Sequence, residues 1–178
     1  LPCCIGDVVL GTATLFALRR AYPNAHITWA VGRWSRPALD GHDLLNELLD
    51  TGEGALPIHS VASLRAFAAQ LRAGKFDLAV SLVRSPWMSL AVWLARIPYR
   101  AGLHSAGRGF GYNIRARINP RTVRHEAEIY LDVPRALGID TTDCWANVPV
   151  RESRSGDEPY IMINPAGGRN PGMVMDSK

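Results

Sequence analysis

The chain has 178 residues, of which 47% are apolar and 20% are charged, so it can bury a core and is not a disordered sequence. Its longest nearly uncharged stretch, residues 85–95, is far shorter than the ~20 residues that a membrane-spanning helix needs. The formal net charge of +4 favours an anionic partner, but the arginines are scattered, and no basic stretch interleaved with aromatic residues indicates a nucleic-acid-binding module.

The hydrophobic periodicity predicts alternating helices and strands along the chain. In chain order these are a helix over 8–21, strands over 26–31 and 47–51, a helix over 60–73, a strand over 76–82, a helix over 86–95, a strand over 99–103, a helix over 124–137 and a strand over 160–164. The strands are continuously apolar, which is typical of parallel strands covered on both faces. The sequence therefore predicts a doubly wound, Rossmann-like α/β fold.

One polar stretch interrupts this alternation and predicts a domain boundary. Residues 146–158 are rich in Ser, Gly and Pro, as linkers are. We expect an N-terminal domain over 1–145, with its first strand truncated, and the beginning of a second domain over 159–178. Because the first residue is Leu1 and the last residues stop in mid-pattern, we expect the sequence to be a fragment cut at both ends.

The opening stretch LPCCIGDVVLGT places a carboxylate where a strand is expected to meet a helix. We predict that residues 3–5 end a strand, that Gly6 makes a tight turn and that Asp7 is the first residue of the helix. Ligands gather at such carboxyl ends of parallel strands. The alternative is purely structural, since Asp is a favoured helix N-cap.

The last stretch, INPAGGRNPGMVMDSK, places small residues and a lysine after a predicted strand. Glycines there would let the backbone approach a phosphate, and Lys178 would meet its charge. The stretch matches neither a P-loop nor a dinucleotide-binding glycine fingerprint.

Other candidate ligand-binding residues lie between these ends. Arg84, Arg100 and Arg108 are candidates for binding an acceptor phosphate, with an ordinary surface role as the alternative. Trp87 and Trp93, on an apolar helix, are expected in the core, with contact to the inner membrane surface as the alternative.

The segment IGDVVLGTATLFALRRAYPNAHITWAV resembles the N-terminal signature of glycosyltransferase family 9, the ADP-heptose:lipopolysaccharide heptosyltransferases and their relatives. The family pattern is G-D-V-L-L-x-T-P-A-L-x-A-L-R-x-x-x-P, and this chain has Gly6, Asp7, Thr12, Leu15, Leu18, Arg19 and Pro23 in place. Ala13 and Thr14 stand where the family has Pro-Ala. The segments FDLAVSL, HEAEIYLDVPRALGI and INPAGGRNPGMVMDSK are similar to later landmarks of the family.

The resemblance implies a two-domain GT-B enzyme whose N-terminal domain holds the acceptor and whose C-terminal domain holds the nucleotide-sugar. It implies an inverting, metal-independent transfer of a sugar, expected to be a heptose, from a donor such as ADP-heptose to a lipopolysaccharide-like or other saccharide acceptor. Asp7 carries over as the general base, while Gly6 and the three arginines are acceptor-binding candidates on their own positions in the sequence. The residues expected to bind the donor diphosphate are Ala166, Gly167, Gly168 and Lys178.

The resemblance also implies a setting and partners. The acceptor would be an acidic or phosphorylated, lipid-linked saccharide, so the enzyme is expected in the cytoplasm, with peripheral contact to the inner membrane surface, and no nucleic acid, cofactor or metal is expected as a partner. We expect the 178 residues alone to be inactive, because most of the donor site would lie beyond Lys178.

Two other functions remain open from the residues alone. A nicotinamide-dependent oxidoreductase shares this α/β class, but it needs an acid that binds the ribose at the end of the second strand, where the chain has Val31-Gly32-Arg33. A non-catalytic saccharide-binding module would use the same surface without needing Asp7 for turnover.

Overall fold

The structure, a computed structural model, describes residues 4–53, 57–119, 121 and 123–149. In chain order its elements are α1 (Ile5–Ala21), β1 (Thr28–Val31), a 3-10 turn (Arg36–Ala38), β2 (Glu47–Asp50), α2 (Val61–Ala73), β3 (Leu78–Ser81), α3 (Pro86–Leu94), β4 (Tyr99–His104), β5 (Ile114–Arg117), α4 (Glu126–Tyr130) and α5 (Asp132–Ala136). The predicted strand over 160–164, the remainder of the predicted linker from residue 150 and the donor-binding residues lie outside the described residues.

Every strand pair in the described part is parallel. One sheet has the order β1-β2 and the other the order β3-β4-β5. The predicted α/β class is therefore confirmed. Strand β5 was not predicted, because its sequence IRAR alternates two arginines with two apolar residues and lies at the edge of its sheet.

Helices cover both faces of the β3-β4-β5 sheet. On one face, Ala79 packs against the core formed by α2 and α3, including Phe67 and Met88. On the other face, Leu78 and Val80 pack against the core that includes α4 and α5. Strand residues that alternate between two helical layers explain why these strands are apolar at successive positions.

The predicted helix over 124–137 is wrong as a single helix. It is divided into α4 and α5, with Leu131 between them. The cause is Pro134, whose nitrogen carries no hydrogen and so cannot donate to the carbonyl four residues earlier, that of Tyr130. That carbonyl accepts a hydrogen bond from the hydroxyl of Thr14 on α1 instead (3.2 Å).

Two arginines bind the carboxylate of Asp132, the first residue of α5. Arg124 and Arg135 both donate to the carboxylate of Asp132, at 2.7 and 3.1 Å. Burial acts to raise the pKa of Asp132, but the hydrogen bonds from the two guanidinium groups outweigh it, so the pKa is lowered. This carboxylate therefore stabilises the fold in its charged form.

Arg19 holds the turn that follows α1. Its guanidinium donates to the carbonyl oxygens of Tyr22, Pro23, Ala25 and Leu44 and to the side-chain oxygen of Asn46. The arginine of the recognised signature is therefore a structural residue in this fold, since five oxygens already surround it.

The described part of the predicted linker, residues 146–149, starts against α1. The backbone nitrogen of Asn147 donates to the hydroxyl of Thr12 (2.8 Å), and its carbonyl lies 3.1 Å from Nε2 of the buried His42. Within the described part, no helix is both long and apolar enough to cross a membrane.

Candidate active site around Asp7

Asp7 lies in the first turn of α1 and is the third residue of that helix. The helix begins at Ile5, so the predictions that residues 3–5 end a strand and that Gly6 makes a turn are wrong for Ile5 and Gly6, which are helical. The N-cap position belongs to Cys4, with φ 59° and ψ 111°. Asp7 is therefore not the N-cap, and the capping interpretation of its carboxylate is wrong.

The Asp7 side chain instead contacts a helix from the far end of the described chain. The hydroxyl of Tyr130, the last residue of α4, donates to Oδ1 of Asp7 at 3.1 Å. Asp7 is only partly buried. A carboxylate that is oriented by a neighbour and still reaches solvent is available to a substrate hydroxyl.

Tyr130 is buried, with only 4% of the residue exposed. Burial raises the pKa of its hydroxyl, and the negative charges of Asp7 and Glu126 raise it further. The hydroxyl therefore remains protonated and donates to Asp7 at any physiological pH.

A charged pair borders this contact. Arg84, in the loop between β3 and α3, forms an ion pair with Glu126 at the start of α4. The Nε atom of Arg84 is buried and has no hydrogen-bond partner in the part of the chain that the structure describes. We refer to Asp7, Arg84, Glu126 and Tyr130 as the Asp7 cluster; it places two carboxylates, one guanidinium and one phenol together.

The Asp7 cluster lies where the carboxyl ends of strands are expected to form a ligand site. Arg84 follows β3, and Glu126 begins the helix reached from β5. In a parallel sheet these loops lie at one edge, the edge at which ligands bind in open α/β folds.

Gly6 is exposed, and the fold itself does not require a glycine there. A Cβ atom built on Gly6 meets no atom of the described residues within 4 Å, and its φ lies outside the left-handed region. The space beside Asp7 is therefore open for a substrate to approach the first turn of α1.

The other two arginine candidates lie in different places. Arg108 is exposed in the loop that follows β4, at the same sheet edge as Arg84. Arg100 lies at the start of β4, and its guanidinium donates to the carbonyl oxygens of Gly111, Ile97 and Pro98. Arg100 is thus placed at the opposite strand end from the Asp7 cluster.

We expected both tryptophans of α3 in the core, and this prediction is wrong. Trp87 is 52% exposed and Trp93 is 54% exposed. The helix buries Met88, Ser89, Ala91 and Val92 instead, and Met88, Ala91 and Val92 belong to the core shared with α2.

A cavity elsewhere in the described part of the fold does not contain the Asp7 cluster. It has a volume of about 740 Å³ and lies between β1 and β3, bordered by apolar residues of α1, α2 and α3. None of the four cluster residues lines it. Within the described residues, no three His, Cys, Asp or Glu side chains form a group that could hold a metal ion.

The strand end considered for the oxidoreductase alternative carries a guanidinium. Arg33, after β1, forms ion pairs with Asp50 (3.0 Å) and Glu53 (2.7 Å). The carboxylate of Asp50 also accepts a hydrogen bond from the backbone of Gly52, which with Arg33 lowers its pKa. This acid is therefore engaged by its own turn.

Comparison with known proteins shows a consistent group of relatives. The chain is 26% identical over 176 residues to lipopolysaccharide heptosyltransferase 3 of Escherichia coli K12, an alignment that covers 90% of this chain and 51% of that protein. Its structure resembles that of a family 9 glycosyl transferase from Veillonella parvula (TM-score 0.70, 24% identity, 85% of this chain and 44% of the other). The resemblance to glycosyltransferase family 9 is confirmed.

A second solved structure has the same fold. The ADP-heptose lps heptosyltransferase II of E. coli matches with a TM-score of 0.69 and 22% identity, covering 85% of this chain and 45% of the other. The chain thus spans about half the length of the relatives it matches. No family-level sequence profile matches the chain.

Tyr130 and Glu126 are the members of the Asp7 cluster that the sequence did not reveal as site residues. They lie in HEAEIY, which carried a family resemblance but no assigned role. The only local signal is the acidic Glu126 near the start of a predicted helix, and acidic residues are common at helix N-termini for structural reasons. Their proximity to Asp7 depends on tertiary packing over 123 positions.

Proposed function

We propose that this chain is the acceptor-binding half of an inverting, metal-independent heptosyltransferase in which Asp7 is the general base. The observation that carries the proposal is the Asp7 carboxylate, which is bonded by Tyr130 on one oxygen and lies at an open helix terminus. The sequence and fold similarity to family 9 heptosyltransferases supports the reaction class.

In the proposed reaction, Asp7 accepts the proton of the acceptor hydroxyl as that oxygen bonds to the anomeric carbon of the donor sugar. The bond from the anomeric carbon to the diphosphate oxygen breaks, and the nucleoside diphosphate leaves with the electron pair. Attack from the face opposite the leaving group inverts the anomeric carbon. A base positioned in this way typically contributes 10²–10⁴-fold to the rate.

The donor side of the proposal rests on the family resemblance. Lys178 and the loop residues Ala166, Gly167 and Gly168 would stabilise the charge that gathers on the departing diphosphate, as cations and backbone amides do in such sites. The donor is proposed to be ADP-heptose or a similar nucleotide-sugar. Because this chain covers about half of its relatives' length, we expect the 178 residues alone to transfer no sugar.

The acceptor side is proposed to use the cations at the Asp7 edge. Arg84 has one buried donor, Nε, without a partner in the described residues, and Arg108 is exposed at the neighbouring loop. Both suit a phosphorylated or acidic saccharide. The half-exposed Trp87, in the first turn of α3, and the 51% exposed Phe110, in the loop after β4, suit a lipid-linked acceptor at the cytoplasmic membrane surface.

The decisive experiment is turnover of Asp7→Asn in a form of the protein extended to the length of its relatives. We expect kcat to fall about 100-fold or more, with binding of the nucleotide-sugar retained. The matched control is Asp77→Asn, which removes an exposed carboxylate at the opposite strand end, before β3, and should leave turnover unchanged. Turnover of Asp7→Asn at the level of the unaltered protein would refute Asp7 as the base.

Membrane contact has a separate test. The protein should sediment with vesicles that contain phosphatidylglycerol, and Trp87→Ala combined with Phe110→Ala should weaken that sedimentation several-fold. Sedimentation that is equal for both forms would count against these two side chains.

A further inference from the structure

We infer that Tyr130 is a positioning residue for the proposed base: its hydroxyl fixes the Asp7 carboxylate so that Oδ2 faces the acceptor. This inference rests on the proposed function, since it assigns a role relative to Asp7 as the base. Tyr130 itself neither accepts the acceptor proton nor touches the reacting atoms.

The geometry shows Tyr130 bound to α1 at two points. Its hydroxyl donates to Oδ1 of Asp7 at 3.1 Å, and its carbonyl accepts from the hydroxyl of Thr14 at 3.2 Å. Asp7 and Thr14 are seven residues apart and so lie on the same face of α1, two turns from one another. One residue of α4 therefore sets the position of the first turn of α1 relative to the rest of the site.

The break between α4 and α5 makes the second of these bonds possible. Because Pro134 cannot donate to the carbonyl of Tyr130, that carbonyl is free to accept from Thr14. Thr14 supplies a hydroxyl at the position where the helix break offers an acceptor. Pro134 and Thr14 thus act together on the placement of Tyr130.

The direction of the hydrogen bond determines which oxygen of Asp7 is left for the substrate. The Tyr130 hydroxyl is buried and faces the carboxylates of Asp7 and Glu126, both of which favour its protonated form, while Arg84 acts in the opposite sense. A protonated phenol can only donate toward a carboxylate. The Tyr130 hydroxyl therefore donates to Oδ1, and within the described residues Oδ2 accepts no side-chain hydrogen bond.

Fixing a carboxylate in this way affects the rate of the chemical step more than it affects substrate binding. The productive orientation of a base must hold within tenths of an ångström, and a freely rotating carboxylate presents the correct oxygen for only part of the time. Loss of the Tyr130 hydroxyl should therefore lower kcat and leave KM for both substrates nearly unchanged. A residue that only supports the fold would instead lower the melting temperature and the amount of folded enzyme.

The test is Tyr130→Phe, in the protein extended to the length of its relatives, with ADP-heptose and a deacylated lipopolysaccharide core fragment as the substrate probes. The substitution keeps the buried ring and the backbone bond to Thr14. We expect kcat to fall about tenfold with both KM values within about twofold of the unaltered enzyme. The matched control is Tyr112→Phe, because Tyr112 is also buried and donates to a side chain, Oγ of Ser81 at 2.8 Å, outside the Asp7 cluster.

A double-mutant cycle separates positioning from structural support. In an Asp7→Asn background, Tyr130→Phe should cause no further loss of kcat, because the base that it orients is already absent. An unchanged kcat in Tyr130→Phe alone, or an equal further loss in the Asp7→Asn background, would overturn the inference. If Asp7→Asn itself turned over normally, the proposed base would be refuted first and the role of Tyr130 with it, so the two failures are distinguishable.

Discussion

Replacing Gly6 by alanine separates the fold's requirements from those of the site. Gly6 is the second residue of α1 and is exposed, and an added Cβ atom would meet nothing within 4 Å in the part of the chain that the structure describes. Glycine is about 0.8–1 kcal/mol less favourable than alanine inside a helix, and somewhat less so in the first turn. The fold alone therefore predicts that Gly6→Ala stabilises the protein.

The expected size of this stabilisation can be measured. A gain of about 0.5–1 kcal/mol corresponds to a rise in Tm of roughly 1–4 °C for a chain of this length. If the open space beside Gly6 admits the acceptor, the new methyl group stands in that space. We then expect KM for the acceptor to rise by about tenfold, while KM for the nucleotide-sugar stays the same.

The assay is steady-state kinetics together with thermal unfolding of the same preparation. Val61→Ala is the matched control, since Val61 is exposed in the first turn of α2 and alanine there should also give a small rise in Tm. That variant should keep both KM values. A Gly6→Ala protein that is more stable and fully active would refute the reasoning that the substrate approaches this turn.

Three further predictions concern the fold around the site. Arg19→Met should lower stability by about 2 kcal/mol and Tm by roughly 4–8 °C, because five oxygen acceptors lose their common donor. Thr14→Val, isosteric and buried, should cost about 1 kcal/mol in chemical denaturation through loss of its bond to Tyr130. Asp132→Asn should lower the free energy of unfolding at pH 7, and the loss should shrink as pH falls below about 4. The reason is that a carboxylate whose pKa is lowered in the folded protein adds stability above its unfolded pKa, and this stability disappears as the carboxylate is protonated. A loss of stability that is constant from pH 7 to pH 3 would contradict this.

The regular elements of this fold could be predicted because they follow local patterns. The apolar runs of β1 and β3 and the helical spacing of α2 each reflect burial that repeats along the segment itself. The capping box formed by Ser60 and Ser63 also starts α2 within one residue of its predicted position. Where the hydrophobic period of a segment matches its pattern of buried positions, one sequence is sufficient to locate the helix or strand.

The errors occurred where one residue overrides its local pattern. The helical spacing continues through 124–137, yet a single missing N–H at Pro134 ends one helix and starts another. The apolar spacing of α3 predicted buried indoles, but the helix packs closely enough that the Ser89 carbonyl lies where a side chain at Gly111 would stand. Such close approach is decided by the partner segment and is not visible in the helix sequence.

The candidate site shows the same division between local and tertiary information. The position of Asp7 at a helix start could be read from the sequence, but two explanations, a cap and a base, fitted that position equally well. The structure rules out the cap, because the cap position is taken by Cys4 and the carboxylate is bonded by Tyr130, a residue 123 positions away; the base remains a proposal. A cap satisfies backbone amides within its own turn, whereas this carboxylate is engaged by a side chain of another helix.

That difference also explains why the short acidic side chain matters at position 7. Any acid in the first turn of α1 would interact favourably with the helix dipole, so the dipole alone does not distinguish aspartate from glutamate. The contact with Tyr130 does, because the phenol is fixed by its burial and by the bond between its carbonyl and Thr14. A carboxylate one methylene further out would have to leave its rotamer or displace the buried ring to keep the 3.1 Å hydrogen bond from the phenol. The hydrogen bond from Tyr130 therefore favours aspartate at position 7. The favourable interaction with the helix dipole does not, because glutamate would share it.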